Sequence, residues 1–247
     1  MSRTAVRSTV ENGTAWVTLD GPQTRNALDA RAASELVAVC EEIDRDQTIG
    51  AAVITGVGPA FCSGADTAEL DRLRRARPDE AYDGLGALYS AFGRVAELRV
   101  PVLAAVNGPA VGAGVNLALA ASLRIVSTQA RFISGFAKIG IHPGGGHLHL
   151  LAATGGAGLA AAAGVFAQPV DAETALRTGL AWRVVPAEEL RAVASDMVAH
   201  LAADPALARA LSASLRRTVI DDAGWDRAIE IERARQMWSL SRPRKES

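Results

Sequence analysis

Short β-rich runs alternate with longer stretches of helical spacing in the first half of this 247-residue chain. The β-rich runs end in turn residues, and they comprise residues 14–20, 50–56, 100–108 and 123–128. Apolar residues recur at helical spacing in the segments 29–46, 80–98 and 112–121. This alternation predicts repeated strand-then-helix units and therefore an α/β fold.

The last part of the chain has a different pattern. Residues 171–179 and 187–240 contain no convincing strand, and the later stretch is typical of helices broken at Asp204 and Pro205. A chain of this length can bury a full core, and two compact domains of equal size are not expected. We therefore predict a core over residues 1–190 and an all-helical region over residues 191–247.

Composition and charge exclude several classes of function. The formal net charge of -1 gives no broad cationic surface for nucleic acid or an anionic membrane. Cys40 and Cys62 are too few for a disulfide framework, and the first residues lack the apolar core of a signal peptide. The apolar stretch 100–121 is interrupted by two prolines and an asparagine, so no membrane span is expected. These features predict a cytoplasmic protein.

Two segments place small residues at the start of a helix. They read GPAFCSGADTAEL over residues 58–70 and GPAVGAGVNLALAA over residues 108–121. The first N–H groups of a helix have no intrahelical partner, so two such starts facing each other could bind one anionic oxygen. Alternatively, the small residues only permit close packing of strand and helix. The second segment lacks the endings of a P-loop and of a dinucleotide site.

Four segments together resemble the enoyl-CoA hydratase/isomerase (crotonase) family in order and spacing, over about residues 10–190. They are residues 21–29, 60–66, 101–125 and 173–186. The resemblance implies a spiral of ββα units with a C-terminal helical oligomerisation region, assembled as a homotrimer or a dimer of trimers. It also implies action on an acyl-CoA thioester in fatty acid metabolism, with no cofactor beyond the coenzyme A of the substrate. Some family members bind RNA, which the charge of this chain does not support.

The resemblance also implies site residues. The backbone N–H groups of Ala65 and Ala113 would form an oxyanion hole for the thioester carbonyl, where the family usually has glycine at the second position. Such donors stabilise the enolate-like charge that forms when the α-carbon reacts. Coenzyme A would contact a further set of residues, namely Arg25, Asn26, Ala27, Ser63 and Asp66.

The sequence departs from the family at the two glutamates that serve hydratases as general acid and base. Asn116 and Phe136 occupy their places, and neither side chain exchanges a proton near neutral pH. Ordinary hydratase activity is therefore not expected. The chain is then a lyase or isomerase with another acid-base group, or a catalytically silent acyl-CoA or fatty-acyl binding protein. Asn116 could bind the acyl group, or it could satisfy a buried polar neighbour.

Substitute acid-base groups are few. His142 either faces the acyl pocket, which its loop borders in the family, or is a hydrogen-bonded loop residue. His147 and His149 are expected to pack or cap at the following helix, and no metal site is expected because no cysteine or carboxylate completes a ligand set. Near the segment that closes the pocket in the family lie Glu69, Asp71, Tyr82 and Asp83, which are mostly expected at the surface. Basic residues that either reach coenzyme A or face solvent are Arg216, Arg217, Arg242, Arg244 and Lys245.

Overall fold

The computed structural model describes residues 3–216 together with residues 225, 229–230, 233–234, 236–237 and 240–241. The strands are β1 (Ala5–Glu11), β2 (Thr14–Asp20), β3 (Ala51–Gly56), β4 (Val102–Val106), β5 (Ala110–Val111), β6 (Leu123–Ser127), β7 (Arg131–Ile133), β8 (Val170–Asp171) and β9 (Arg183–Val185). The α-helices up to residue 215 are α1 (Ala30–Arg45), α2 (Thr67–Arg75), α3 (Pro78–Ala96), α4 (Ala113–Ala120), α5 (His147–Leu159), α6 (Ala172–Arg177), α7 (Leu190–Ala202) and α8 (Pro205–Leu215).

The strands form two sheets. The larger sheet has the order β1-β2-β3-β4-β6-β9, in which only the β1-β2 pair is antiparallel. The smaller sheet has the order β5-β7-β8. Helices connect the parallel strands β2, β3 and β4, because a parallel neighbour needs a crossover. The α/β fold predicted from the alternation is therefore confirmed.

The predicted elements agree with the structure where the apolar pattern is strong. β2, β3, β4 and β6 lie within the four predicted β-rich runs, and α1, α3 and α4 match the three helical stretches to within two residues. The prediction missed β1, which is mostly exposed and so carries little apolar alternation. It also missed β8, because a strand of two residues is defined by its pairing with the neighbouring strand β7 and not by a local pattern.

Both faces of the larger sheet are buried. Successive residues of a strand point to opposite faces, so Trp16 joins a smaller core while Val17 joins the larger one. The larger core lies between the sheet and α1, α3 and α4, and α7 covers the other face through Leu190, Ala194 and Val198. The first helix after residue 190 is therefore packed on the sheet. The division of the chain at residue 190 stays a prediction.

The helical pattern of the tail is confirmed as far as residue 215. α7 ends at Ala202, and α8 begins at Pro205. Asp204 caps the second helix, since its carboxylate accepts a hydrogen bond of 3.1 Å from the N–H of Leu207. Proline at the first position of α8 has no N–H group, so the helix start has one fewer donor that lacks an intrahelical partner.

Among the described residues, the helical segment His147–Val165 is long and apolar enough by composition to cross a membrane, whereas no membrane span was expected from the sequence. The segment comprises α5 and a π-helical turn, Ala160–Val165. It is not a regular helix throughout, because Gly156 has φ 80° and ψ 171°. A third of the segment is buried inside the protein.

Candidate active site

The two small-residue segments lie against each other. A Cβ atom on Gly114 would lie 2.2 Å from the carbonyl oxygen of Cys62, so only glycine permits this approach. A Cβ atom on Gly64, whose φ is +91°, would lie 3.3 Å from the backbone nitrogen of Ala113. The two segments therefore pack closely, as one interpretation of their small residues predicted. This packing also brings the two helix starts together, as the other interpretation requires.

The N–H groups of Ala65 and Ala113 point away from the secondary structure that holds them. Ala65 forms a parallel bridge with Leu28, and its two bonds join Leu28 N–H to Gly64 O (2.7 Å) and Asp66 N–H to Leu28 O (2.8 Å). In a parallel bridge of this kind the N–H of the central residue faces the opposite side. Ala113 is the first residue of α4, where N–H groups lack an intrahelical partner. Among the described residues neither N–H donates a hydrogen bond.

Both alanines line one small cavity of about 200 Å³. The described residues that line it include no aspartate, glutamate, histidine, lysine or arginine, so Tyr89 is their one titratable side chain. Asn116 and Phe136 also line the cavity. The aliphatic and further aromatic lining residues are Leu70, Leu85, Leu88, Phe92, Val111, Ile139 and Ile141.

Asn116 is held by hydrogen bonds on both sides of its amide. Its Nδ2 donates to the carbonyl oxygen of Gly144 at 2.9 Å, and its Oδ1 lies 2.6 Å from Nδ1 of His147. The other ring nitrogen of His147 lies 2.7 Å from Oγ of Ser134. Asn116 therefore satisfies buried polar neighbours, which was one interpretation of it, while it also lines the cavity.

The surroundings of His147 favour the neutral form of its imidazole. The side chain is fully buried, and this burial lowers its pKa from the ordinary 6.5 to about 3. The ring of Phe136 packs edge-on against it with the ring centroids 4.9 Å apart. An apolar ring thus covers the imidazole at the position where the resemblance implies a carboxylate.

A second cavity of about 630 Å³ adjoins the first, because Thr67 lines both. Ala27 and Asp66, two of the residues expected at coenzyme A, line this cleft together with Arg3 and Arg72. The carboxylate of Asp66 also caps α2, accepting from the N–H groups of the first turn. Two further carboxylates line the cleft and pair with these guanidinium groups: Asp29 lies 3.6 Å from Arg3, and Glu69 lies 2.7 Å from Arg72.

The other residues expected at coenzyme A have mixed positions. Asn26 is fully buried and donates from Nδ2 to the carbonyl oxygens of Val57, Ala60 and Phe61, so its side chain cannot reach a phosphate. Arg25 is exposed and has a left-handed φ of 53°. Ser63 lines the small cavity and donates to a backbone carbonyl. Of residues 25–27, only Ala27 lines the cleft, and Arg25 lines neither cavity.

The structure does not bring the predicted acid-base candidates to the cavity. His142 does not line it, and its Nδ1 lies 2.7 Å from the carbonyl oxygen of the next residue, Pro143. Glu69 lines the cleft instead and pairs with Arg72 at 2.7 Å. Asp71, Tyr82 and Asp83 are likewise not among the lining residues. Within the described ranges no three metal-ligating side chains cluster.

Among the predicted basic residues, Arg216 donates to the carbonyl oxygens of Ala96 and Leu98, so its guanidinium holds the end of α3. Arg217, Arg242, Arg244 and Lys245 lie outside the described residues.

Sequence reasoning did not single out Tyr89 and Gln236, which line the cavity, or Ser134 and His147, which lie behind it. His147 does begin a helix as expected, but its contact with Asn116 joins residues 31 positions apart. The one available signal was Asn116 itself, since an amide within an apolar helix requires a buried partner.

Comparison with known proteins decides the family. The family model described as enoyl-CoA hydratase/isomerase matches residues 9–242. The chain belongs to the enoyl-CoA hydratase/isomerase family. Among its relatives, a probable enoyl-CoA hydratase of Mycobacterium tuberculosis, EchA14, is 41% identical over 196 residues, covering 79% of this chain and 75% of that protein. The 1,2-epoxyphenylacetyl-CoA isomerase of Escherichia coli is 33% identical over 205 residues, covering 81% and 77%.

Solved structures agree with the family assignment. An enoyl-CoA hydratase from Mycobacterium avium subsp. paratuberculosis superposes with a TM-score of 0.85 at 28% identity, covering 97% of this chain and 95% of that one. A protein from Mycobacterium abscessus, named a putative enoyl-CoA hydratase/isomerase, superposes with a TM-score of 0.81 at 32% identity. The match covers 95% of this chain and 90% of that one. The fold is thus the crotonase fold, and the family acts on acyl-CoA thioesters.

Proposed function

We propose that this chain binds an acyl-CoA thioester with the carbonyl oxygen accepting hydrogen bonds from the N–H groups of Ala65 and Ala113. One observation carries the proposal: both N–H groups belong to residues of one cavity, and neither donates to the described protein. The acyl group would occupy the small apolar cavity, and coenzyme A the adjoining cleft that Arg3 and Arg72 line.

The bound thioester would be activated at its α-carbon. When a base removes a proton there, or a nucleophile adds to the conjugated double bond, negative charge moves onto the carbonyl oxygen. Two N–H groups fixed in advance stabilise that charge, and each such donor contributes about 10²- to 10³-fold to the rate. The reaction class is therefore one that passes through a thioester enolate, as in an isomerase or a lyase.

Ordinary hydration is not the proposed reaction. Asn116 and Phe136 stand where the resemblance implies the two glutamates, and the described lining residues supply no other carboxylate. The relatives include both a probable enoyl-CoA hydratase and a 1,2-epoxyphenylacetyl-CoA isomerase. The second candidate function is a catalytically silent acyl-CoA or fatty-acyl binding protein, which the near absence of titratable groups in the cavity favours.

Calorimetry with butanoyl-CoA and with free coenzyme A tests the proposal. Ala65→Pro removes one N–H group and should weaken butanoyl-CoA binding about two- to tenfold, since a hydrogen bond contributes about 0.5–1.5 kcal/mol. Ala65→Ser keeps the N–H group and is the matched control. Absence of binding for acyl-CoAs of several lengths would contradict the whole proposal, whereas equal affinity in Ala65→Pro would contradict only the oxyanion hole.

A further inference from the structure

Three buried side chains form a continuous hydrogen-bonded chain behind the acyl cavity. It runs from Asn116 through both ring nitrogens of His147 to Ser134, with separations of 2.6 and 2.7 Å. The exposed fractions of the three residues are 1%, 0% and 2%. Of the three, only Asn116 lines the cavity.

The order of these three hydrogen-bonded side chains excludes their interpretation as a nucleophilic triad. A serine, a histidine and an amide at these distances resemble a nucleophilic triad, in which the hydroxyl meets the substrate and the third group orients the imidazole. Here the order is reversed, because the amide faces the cavity and Ser134 lies at the far end. The imidazole is therefore placed to orient Asn116.

The hydrogen bonds determine which atoms carry the protons. Nδ2 of Asn116 donates to the carbonyl oxygen of Gly144, so the amide oxygen is the atom that faces His147. An amide oxygen only accepts, so Nδ1 of His147 carries the proton and Nε2 accepts from the hydroxyl of Ser134. Burial keeps the imidazole neutral, so this arrangement does not change near neutral pH.

The arrangement places the nitrogen edge of the amide, and not its oxygen edge, next to the lining of the cavity. The oxygen edge is turned to the buried imidazole, while the nitrogen edge contacts Gly144, which lines the cavity. A second, longer contact of 3.4 Å joins Nδ2 to the carbonyl oxygen of Gly145, so one hydrogen of the NH₂ group is only weakly held.

We propose that His147 is a positioning residue that, together with Ser134, fixes the Asn116 amide as a hydrogen-bond donor toward the acyl pocket. The pocket then prefers an acyl group with an acceptor oxygen in its chain over the all-carbon group of equal length. This preference rests on the proposed binding of acyl-CoA, whereas the orientation of the amide does not.

Nuclear magnetic resonance tests the orientation without any ligand. In the wild type we expect His147 protonated on Nδ1 only, with no change between pH 5 and 8, and one sharp pair of Asn116 amide signals. His147→Phe keeps a ring against Phe136 but removes both hydrogen bonds, so the Asn116 signals should broaden or shift. His149→Phe is the matched control two residues along the same helix, and should leave them unchanged. A protonated Nε2, or unchanged Asn116 signals in His147→Phe, would overturn the proposal.

Calorimetry tests the preference with pentanoyl-CoA and its two analogues that carry an ether oxygen in place of chain carbon 3 or 4. We expect one ether to bind about three- to tenfold more tightly than pentanoyl-CoA in the wild type and in His149→Phe. The difference should vanish in His147→Phe and should shrink in Ser134→Ala. The second variant changes the packing less, so it tests the preference if His147→Phe does not fold. Equal binding of all three by the wild type, or an unchanged preference in both variants, would refute the preference. If the wild type binds no acyl-CoA, the proposed function fails and the resonance experiment alone decides the role of His147.

Discussion

At the scale of single residues, the small cavity is lined by the amide of Asn116 and the aromatic ring of Phe136. Asn116 is engaged with His147 on one side and Gly144 on the other, so it is part of the frame of the cavity. Phe136 packs against the imidazole and closes the space next to it. Neither side chain moves protons, but the backbone donors do not depend on them. Under the proposed function, the site would therefore bind a thioester without hydrating it.

Restoring the two carboxylates tests this separation of binding from hydration. We expect the wild type to hydrate short enoyl-CoA far below typical kcat values of about 1–10³ s⁻¹. Asn116→Glu should recover some activity, since Nδ1–H of His147 can donate to the new carboxylate. Asn116→Glu with Phe136→Glu should exceed either single change, because groups that act as a unit are strongly non-additive. The measurement is the loss of enoyl-thioester absorbance, and brisk hydration by the wild type would contradict the argument.

The buried imidazole also predicts how stability depends on pH. In the unfolded chain His147 binds a proton below about pH 6.5, whereas burial in the folded protein lowers its pKa to about 3. Its contribution to stability is therefore complete above pH 6.5 and is lost as the pH falls toward 3, at up to about 1.4 kcal/mol per pH unit. Urea unfolding at pH 7 and pH 5 should show a smaller pH effect in His147→Phe than in the wild type. His149→Phe should behave like the wild type, and equal pH effects in all three proteins would contradict the expectation.

At the scale of elements, the site depends on how closely two strand-to-helix turns approach. The carbonyl of Cys62 occupies the space where a side chain of Gly114 would lie. α4 thus starts directly beside the segment that carries Ala65, and both alanines line one cavity. Helix propensity would favour alanine over glycine within α4, so the close approach is what requires glycine.

Gly114→Ala should therefore be harmful despite the better helix propensity of alanine. The added methyl group would lie 2.2 Å from the Cys62 carbonyl oxygen, so we expect a loss of about 1–3 kcal/mol in the free energy of unfolding and weaker acyl-CoA binding. Gly93→Ala in α3 is the matched control, because no atom lies within 4 Å of its added Cβ. That variant should be neutral or more stable by up to about 1 kcal/mol. Denaturant unfolding of both proteins makes the comparison, and equal effects would contradict it.

At the scale of the whole molecule, large apolar side chains remain uncovered in the single chain. Phe166 is 71% exposed and Trp182 is 66% exposed. Three leucines of α8 that are about half exposed are Leu207, Leu211 and Leu215. Exposed apolar groups of this size favour association, in keeping with the trimer or dimer of trimers that the resemblance implies.

Sedimentation tests this assembly. We expect the wild type at micromolar concentration to be a trimer or a hexamer, because association would bury these side chains. Phe166→Ser and Trp182→Ser should each shift the distribution toward smaller species if their side chains lie in an interface. Tyr82→Phe, which keeps an aromatic ring of similar size, is the control. A monomeric wild type would contradict the expectation.

The sequence by itself determined the α/β alternation and the two helix starts, and through the resemblance it predicted that the two hydratase carboxylates are absent. These features are local, because apolar periodicity and turn residues act over a few positions, and the order of four segments sufficed to indicate the family. Only the tertiary structure decided which way each side chain faces. It turned Asn26 inward, kept His142 out of the cavity and joined Asn116 to His147. Such contacts arise from packing between elements distant along the chain, so no local pattern encodes them.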